Sequence, residues 1–205
     1  MNITDALSEL RSNTRDFLSN NRLKIAGGSE NGIATFYFGY KDDRFENYFK
    51  FEKDSGCMIK KAGSDGLGYR ALRAHNIRMT PKTEDFGLDE IPGYRLDNTG
   101  PDLMITGQLN ACSFVVMEDR LNGGYLVAHL QPGGSRPQGA ELRNVVRDTG
   151  AFGANGNVSV VYGLGDYPNF ASIIGVRDGA NWHIYGQSLA GSYADPIIVG
   201  VTQLV

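Results

Sequence analysis

Apolar residues recur at helical spacing in two segments of the chain, and this pattern predicts two amphipathic helices. The first covers residues 4–19, with Thr4 as the expected N-cap. The second covers residues 138–148, and Gly150 is its expected stop. We expect the first helix to bury its apolar face against the domain's own sheet; docking to a partner is the alternative.

Short apolar runs and apolar–polar alternation predict that strands make up most of the remainder. Residues 33–40 and 45–51, joined by a charged turn, are the first predicted hairpin. Asp178 and Gly179 form the expected turn of a later hairpin. The strands predicted after the second helix cover residues 158–162, 170–177, 182–187 and 197–205.

Residues 54–102 are the least periodic part of the chain and are punctuated by proline and glycine. We expect loops here, with short elements at 58–59 and 69–72, that shape the way into a site. Together these patterns predict a β-rich α+β fold, with a central β-sandwich of mixed or antiparallel sheets and a few flanking helices. One domain covering residues 1–205 is expected.

Composition agrees with a folded domain and narrows its partners. The chain has 205 residues, 41% of them hydrophobic and 21% charged, which is ordinary for a globular domain with a real core. The 27 glycines suit a fold of strands and turns. A net charge of -3 and a pI of about 5.6 argue against nucleic acid as a partner, because binding phosphates requires a basic surface.

The N-terminal segment does not have the pattern of a signal peptide, because Asp5 and Glu9 fall where an apolar core is needed. No apolar run is long enough to span a bilayer, so no membrane partner is expected. Cys57 and Cys112 show no spacing that favours a bridge, and we expect free thiols in a reducing compartment. The prediction is a monomer in the cytoplasm of the producing cell, and any export is expected to use no cleaved leader.

The most informative stretch is residues 104–132, which predicts a strand, a glycine-containing turn at 118–124 and a second strand. Cys112 lies on the first strand and His129 on the second. Counting back from the turn places both near the same end of the hairpin, on neighbouring strands. A thiol and an imidazole need this proximity to share a proton.

Taken alone, a cysteine or a histidine in an apolar strand is usually a core residue. Together, Cys112 and His129 predict a nucleophilic thiolate paired with an imidazole. Thr106, six positions before the cysteine, is the candidate group that orients the imidazole; an ordinary strand threonine is the alternative. Asn110 and Ala111, with the backbone N–H of Cys112, are candidates for an oxyanion site, although Asn110 also suits a simple turn.

Other residues give weaker signals. Three scattered histidines do not have a metal-ligating spacing, so no metal and no cofactor are expected. Cys57 is a rival nucleophile, but no histidine follows it at the distance of a paired strand. His75 is expected to lie in a solvated basic patch, and Trp182 to pack in the core or at an edge rather than line the entrance to a site.

The central stretch resembles the motif of the bacterial chemoreceptor glutamine deamidases. Their superfamily includes the catalytic domain of cytotoxic necrotizing factor and Burkholderia lethal factor, whose motif reads Leu-Ser-Gly-Cys. The matching residues are Thr106, Leu109, Cys112, Gly123-Gly124, His129 and Leu130-x-Pro132. Asn110 and Ala111 depart from the small residues, serine and glycine, found before the family's cysteine.

The resemblance implies conversion of a protein glutamine to glutamate through a thioester, with Cys112, His129 and Thr106 as the catalytic set. It implies a bacterial toxin or effector acting on a host regulatory protein, such as a Rho-type GTPase or a translation-initiation helicase. Three alternatives stay open: transglutamination, another cysteine amidase or protease activity, and a non-enzymatic β-sandwich binding module with a buried Cys112.

Overall fold

A computed structural model describes residues 2–42, 47–53, 69–81, 93–119, 121–133, 137–149, 151–152, 156–192 and 195–205. Strands dominate, and they form a large mixed sheet and a smaller antiparallel one, so the predicted β-rich α+β class is confirmed. Helices α1, α2 and α3 cover Ile3–Ser12, Thr14–Asn20 and Gly139–Thr149.

The large sheet has eight strands and the small sheet has five among the described residues. In sheet order, the large sheet contains β1 (Leu23–Ala26), β3 (Asn47–Lys53), β2 (Gly32–Asp42), β4 (Tyr69–Ile77), β6 (Leu103–Thr106), β11 (Phe170–Asp178), β12 (Asn181–Gly191) and β13 (Pro196–Gln203). The small sheet contains β5 (Tyr94–Leu96), β8 (Tyr125–Leu130), β7 (Ser113–Asp119), β10 (Gly156–Tyr162) and β9 (Ala151–Phe152).

Three clusters of buried residues lie between the four layers of the molecule. One cluster of buried residues, including Phe17 and Phe38, joins α1 and α2 to one face of the large sheet. A second, including Met104 and Phe114, fills the space between the two sheets. A third joins Leu142 of α3 to the outer face of the small sheet. The result is the predicted sandwich with flanking helices, since each sheet buries both of its faces.

The N-terminal helix differs from its prediction. It is two helices rather than one, because Asn13 leaves the helical conformation at φ -144° and ψ 55°. The N-cap is Asn2 instead of Thr4: its side-chain oxygen accepts hydrogen bonds from the backbone N–H groups of Thr4 and Asp5. The buried face still packs on the large sheet, as expected.

Strand β4 was not predicted beyond its first residues, although it lies in the middle of the large sheet between β2 and β6. Its second half is buried and contains two polar residues, His75 and Asn76, that interrupt the apolar pattern. Asn76 accepts a hydrogen bond from Gly28 N and donates one to Glu30 O, so it fastens the connection between β1 and β2. The predicted element at 58–59 lies outside the described residues.

The three hairpins expected from local patterns are present: β2 with β3, β7 with β8, and β11 with β12. The charged turn of the first falls at residues 43–46, outside the described residues. Among the described residues, no helix combines the length and apolar character needed to cross a membrane.

Candidate active site

The predicted cysteine and histidine lie on the same face of the small sheet. In the β7–β8 ladder His129 is paired with Phe114, and Cys112 precedes that phenylalanine by two positions. Cys112 and Phe114 both belong to the cluster between the sheets, whereas Ala128 and Leu130, which flank His129, face α3. Because strand residues alternate between faces, His129 also points between the sheets, diagonally opposite Cys112.

Thr106 is hydrogen-bonded to the imidazole across the gap between the sheets. Its hydroxyl lies 2.7 Å from His129 Nδ1 and donates to the carbonyl oxygen of Ile77, also at 2.7 Å. A hydroxyl has one proton, and a carbonyl can only accept, so Thr106 must accept the second bond from Nδ1–H. The neutral ring therefore carries its lone pair on Nε2.

This Nε2 atom is buried and has no hydrogen-bond partner among the described residues. Burial lowers the pKa of His129 from 6.5 to about 4, because a charged ring would lose its hydration. The imidazole is therefore neutral near pH 7. In this arrangement Nε2 can accept a proton but does not carry one, and the thiolate–imidazolium pair expected from the sequence is not formed.

The backbone of His129 is held by the chain that follows β4. Met79 forms a parallel bridge with His129, and Thr80 N donates to His129 O at 2.9 Å. The hydroxyl of Thr80 then accepts from Gln131 N at 3.0 Å. The segment that follows β4, although distant in sequence, thus holds the backbone of His129 in place on β8.

Cys112 is nearly enclosed, with 3% of its surface exposed. Its Sγ lies 3.5 Å from the carbonyl oxygen of Asn110, to which the thiol donates, and 3.9 Å from Met79 Sδ. The backbone carbonyl of Cys112 accepts a hydrogen bond of 2.7 Å from the hydroxyl of Tyr167. Burial raises the pKa of Tyr167, so this donor keeps its proton.

Ala111 has a φ of 60°, the only positive value at a non-glycine position in the described part of the chain. An alanine there is strained, since its Cβ approaches the following carbonyl oxygen. Strain of this kind clusters at functional sites, where surrounding contacts maintain it. The chain thus turns sharply immediately before Cys112.

A cavity of about 580 Å³ is lined in part by Met79, whose Sδ lies 3.9 Å from Cys112 Sγ. Its lining also includes Gly27, Gly107, Gln108 and Gln131. Cavities of about 460 and 560 Å³ lie elsewhere on the surface, so volume alone does not single this one out. Its lining by a residue in contact with the thiol does.

The predicted site residues therefore have different positions. Thr106 and His129 are in direct contact, and Cys112 lies on the same inner face. Asn110 meets the thiol through its backbone carbonyl, and its side chain has no part in that contact. Ala111 contributes its conformation.

Sequence reasoning missed Met79 and Ile77. Both belong to the segment expected to be loops, and the pairing of β4 with β6 and the bridge of Met79 to His129 bring them to the site. For Tyr167 the sequence offers a loop at the rim of the cleft or an ordinary surface turn, and it does not predict the bond to Cys112 O. None of these three contacts has a local signal, because each joins residues distant in sequence.

Two further predictions are resolved. The expectation that His75 is solvated is wrong: the residue is fully buried, and its Nδ1 lies 3.0 Å from the hydroxyl of Tyr94. Trp182 is buried, as expected, and its Nε1 donates to Asp97 O. The rival nucleophile Cys57 lies outside the described residues, and those residues contain no cluster of metal-ligating side chains.

No protein family and no curated protein matches the chain. The assignment of a function therefore depends on the site itself.

Proposed function

We propose that the protein is a protein-glutamine deamidase that uses Cys112 as a nucleophile and His129 as its base. The observation that carries the proposal is the hydrogen bond from Nδ1 of His129 to Thr106. It leaves the lone pair of Nε2 without a partner among the described residues, on the face that also holds the thiol. A buried imidazole with an unused lone pair, on the same face as a cysteine, is suited to remove the thiol proton.

The reaction would proceed in two steps. Nε2 of His129 takes the proton of Cys112, and the thiolate attacks the carboxamide carbon of a glutamine. The backbone N–H of Cys112 is the candidate donor to the developing oxyanion, and the strained Ala111 sets its direction. The ring returns the proton to departing ammonia, leaving a thioester.

Water then attacks the thioester, and His129 takes its proton and passes it back to the sulfur. The products are glutamate, ammonia and the free thiol, so one water is consumed for each ammonia released. No metal or cofactor takes part in this scheme. If an amine replaced the water, the product would be a cross-linked glutamine, which is transglutamination.

The origin of the protein and its substrates are part of the same proposal. The resemblance to toxin deamidases supports an effector of bacterial origin that acts on a regulatory protein of a host cell. A Rho-type GTPase and a translation-initiation helicase are the first substrates to test. In either, a carboxylate in place of the amide would change a hydrogen bond donor into an acceptor.

The test is the product. The protein is incubated with each candidate substrate, and peptide mass spectrometry should find a glutamine converted to glutamate without chain cleavage. Cys112→Ser should abolish the conversion, whereas Ser113→Ala, its neighbour in β7, should retain it. Chain cleavage would instead identify a protease, and conversion that persists in Cys112→Ser would refute the proposed nucleophile.

A binding module without activity is the second candidate, and the near-complete burial of Cys112 favours it. The two are separated by alkylation of the folded protein with iodoacetamide. An enzyme should be modified at Cys112, at a rate that rises with pH and falls in His129→Asn, because the imidazole assists ionisation. A module should be modified only after unfolding.

A further inference from the structure

We propose that Met79 occupies the place of the substrate's glutamine side chain, so that a neutral, extended segment bearing a glutamine binds by displacing it. This inference rests on the proposed deamidase function, and it assigns a residue that determines which side chain reaches the thiol.

Met79 connects the surface to the thiol. Met79 is 42% exposed and lines the cavity, yet its Sδ lies 3.9 Å from Sγ of Cys112, which is 3% exposed. We infer from these contacts that the thioether lies between the cavity and the sulfur. A substrate approaching from the cavity meets Met79 before it meets Cys112.

The backbone of Met79 is fixed, and its side chain is the part that can move. The bridge to His129 and the bond from Thr80 N to His129 O hold the main chain on β8. Methionine is unbranched and has three rotatable bonds, so it adapts its shape at little cost. Rotation into the cavity would uncover the thiol while the histidine strand stayed in place.

Methionine and glutamine side chains have closely similar shapes. Both are unbranched, and the third atom of each, Sδ in methionine and the carboxamide carbon in glutamine, is the same number of bonds from the backbone. A glutamine that follows the path of Met79 would place its carboxamide carbon close to Cys112 Sγ. Reacting atoms need a separation of about 3–3.5 Å, slightly less than the sulfur–sulfur contact at 3.9 Å.

The cavity indicates what surrounds that glutamine. None of the described residues that line it carries a formal charge, which favours a neutral segment. The Oε1 atom of Gln108 is buried and has no hydrogen-bond partner in the described part of the chain, so it is free to accept an N–H from the bound segment.

The experiment makes the protein its own substrate. In Met79→Gln, the introduced carboxamide lies where the thioether was, and Cys112 should convert it to a carboxylate with release of ammonia. Mass spectrometry of the purified variant should show amide-to-acid conversion at this position. Met79→Gln combined with Cys112→Ser should stay an amide, and so should Leu121→Gln, an exposed site on the β7–β8 turn.

A second variant does not depend on deamidation. Met79→Ala should speed the alkylation of Cys112 by iodoacetamide about tenfold or more, because the cover is removed. Leu121→Ala, on the remote turn, should leave the rate as in the unaltered protein. If Met79→Ala reacts no faster than the unaltered protein, Met79 does not cover the thiol and the inference is overturned.

The remaining outcomes separate this inference from the function on which it rests. If Met79→Ala is alkylated faster but the glutamine of Met79→Gln is not converted, then Met79 does not occupy the place of the substrate glutamine. If host glutamines are then converted by the unaltered protein, the deamidase proposal stands and only the role of Met79 fails. If they are not, the deamidase proposal fails too.

Discussion

At the scale of single residues, Thr106 decides which nitrogen of His129 is left to act as a base. Its one proton goes to Ile77 O, so it can only accept from Nδ1–H. The thiol of Cys112 contacts Asn110 O and Met79 Sδ. The site is therefore assembled but neutral, and removal of Met79 from the thiol is the step that would let substrate complete it.

Ala111 allows the backbone strain at the site to be measured. Ala111→Gly should raise the free energy of unfolding by up to about 1 kcal/mol, since glycine adopts a positive φ without the steric cost and part of the gain is lost to its greater freedom when unfolded. Chemical denaturation in urea measures the difference.

The matched control for that variant is Ala71→Gly, at an exposed position of β4 in extended backbone. It should lower the free energy of unfolding by about 0.5–1 kcal/mol, because glycine weakens a strand without relieving any strain. If both variants lose stability alike, Ala111 is not strained, and the argument from strain to function is withdrawn.

At the scale of elements, the sequence predicts the pairings between strands that are close together in the chain. The β7–β8 hairpin has its two strands joined by one short turn, so the turn fixes the register, and with it the relation of Cys112 to His129. Strand β4 instead pairs in parallel with β6, which lies well beyond it in sequence. Nothing local specifies that pairing, and the positions of Ile77 and Met79 follow from it.

The end of β1 and the segment after β6 show how closely such distant elements approach. A Cβ added to Gly27 would lie 2.5 Å from Gly107 N, whereas one added to Gly107 would lie 3.8 Å from Gly27 N. Gly27→Ala must therefore push the two segments apart beside Thr106, at a cost of about 1–3 kcal/mol.

Gly107→Ala is the matched control, because the added methyl group makes only an ordinary contact with the same partner. Urea denaturation should show a clear loss of stability in Gly27→Ala and little change in Gly107→Ala. Equal losses in the two variants would contradict the asymmetry of this contact.

At the scale of the whole molecule, the four layers explain why the site is buried. His129, Thr106 and Cys112 all lie between two sheets that each have another layer behind them. The composition and strand patterns predicted the sandwich, since they report how much apolar surface must be covered. They could not predict strand order, because any of several orders would bury the same faces.

The burial of His129 makes the stability of the protein depend on pH. An unfolded His129 gains a proton as the pH falls below about 6.5, but the folded one stays neutral until about 4. The unfolded state therefore binds more protons in that window, and stability declines as pH is lowered through it. Burial lowers the pKa of His75 as well, which adds a contribution of the same sign.

His129→Asn isolates the share of the central histidine in this loss. Asparagine can keep a hydrogen bond to Thr106 but does not titrate, so the variant should lose less stability on acidification than the unaltered protein. The difference should be about 2 kcal/mol between pH 7 and pH 5, from the separation of the folded and unfolded pKa values. Urea denaturation at the two pH values measures it. An equal loss in His129→Asn would mean that the ring takes up a proton without unfolding. The imidazole would then be open to water, and the enclosed neutral base on which the proposed chemistry depends would be absent.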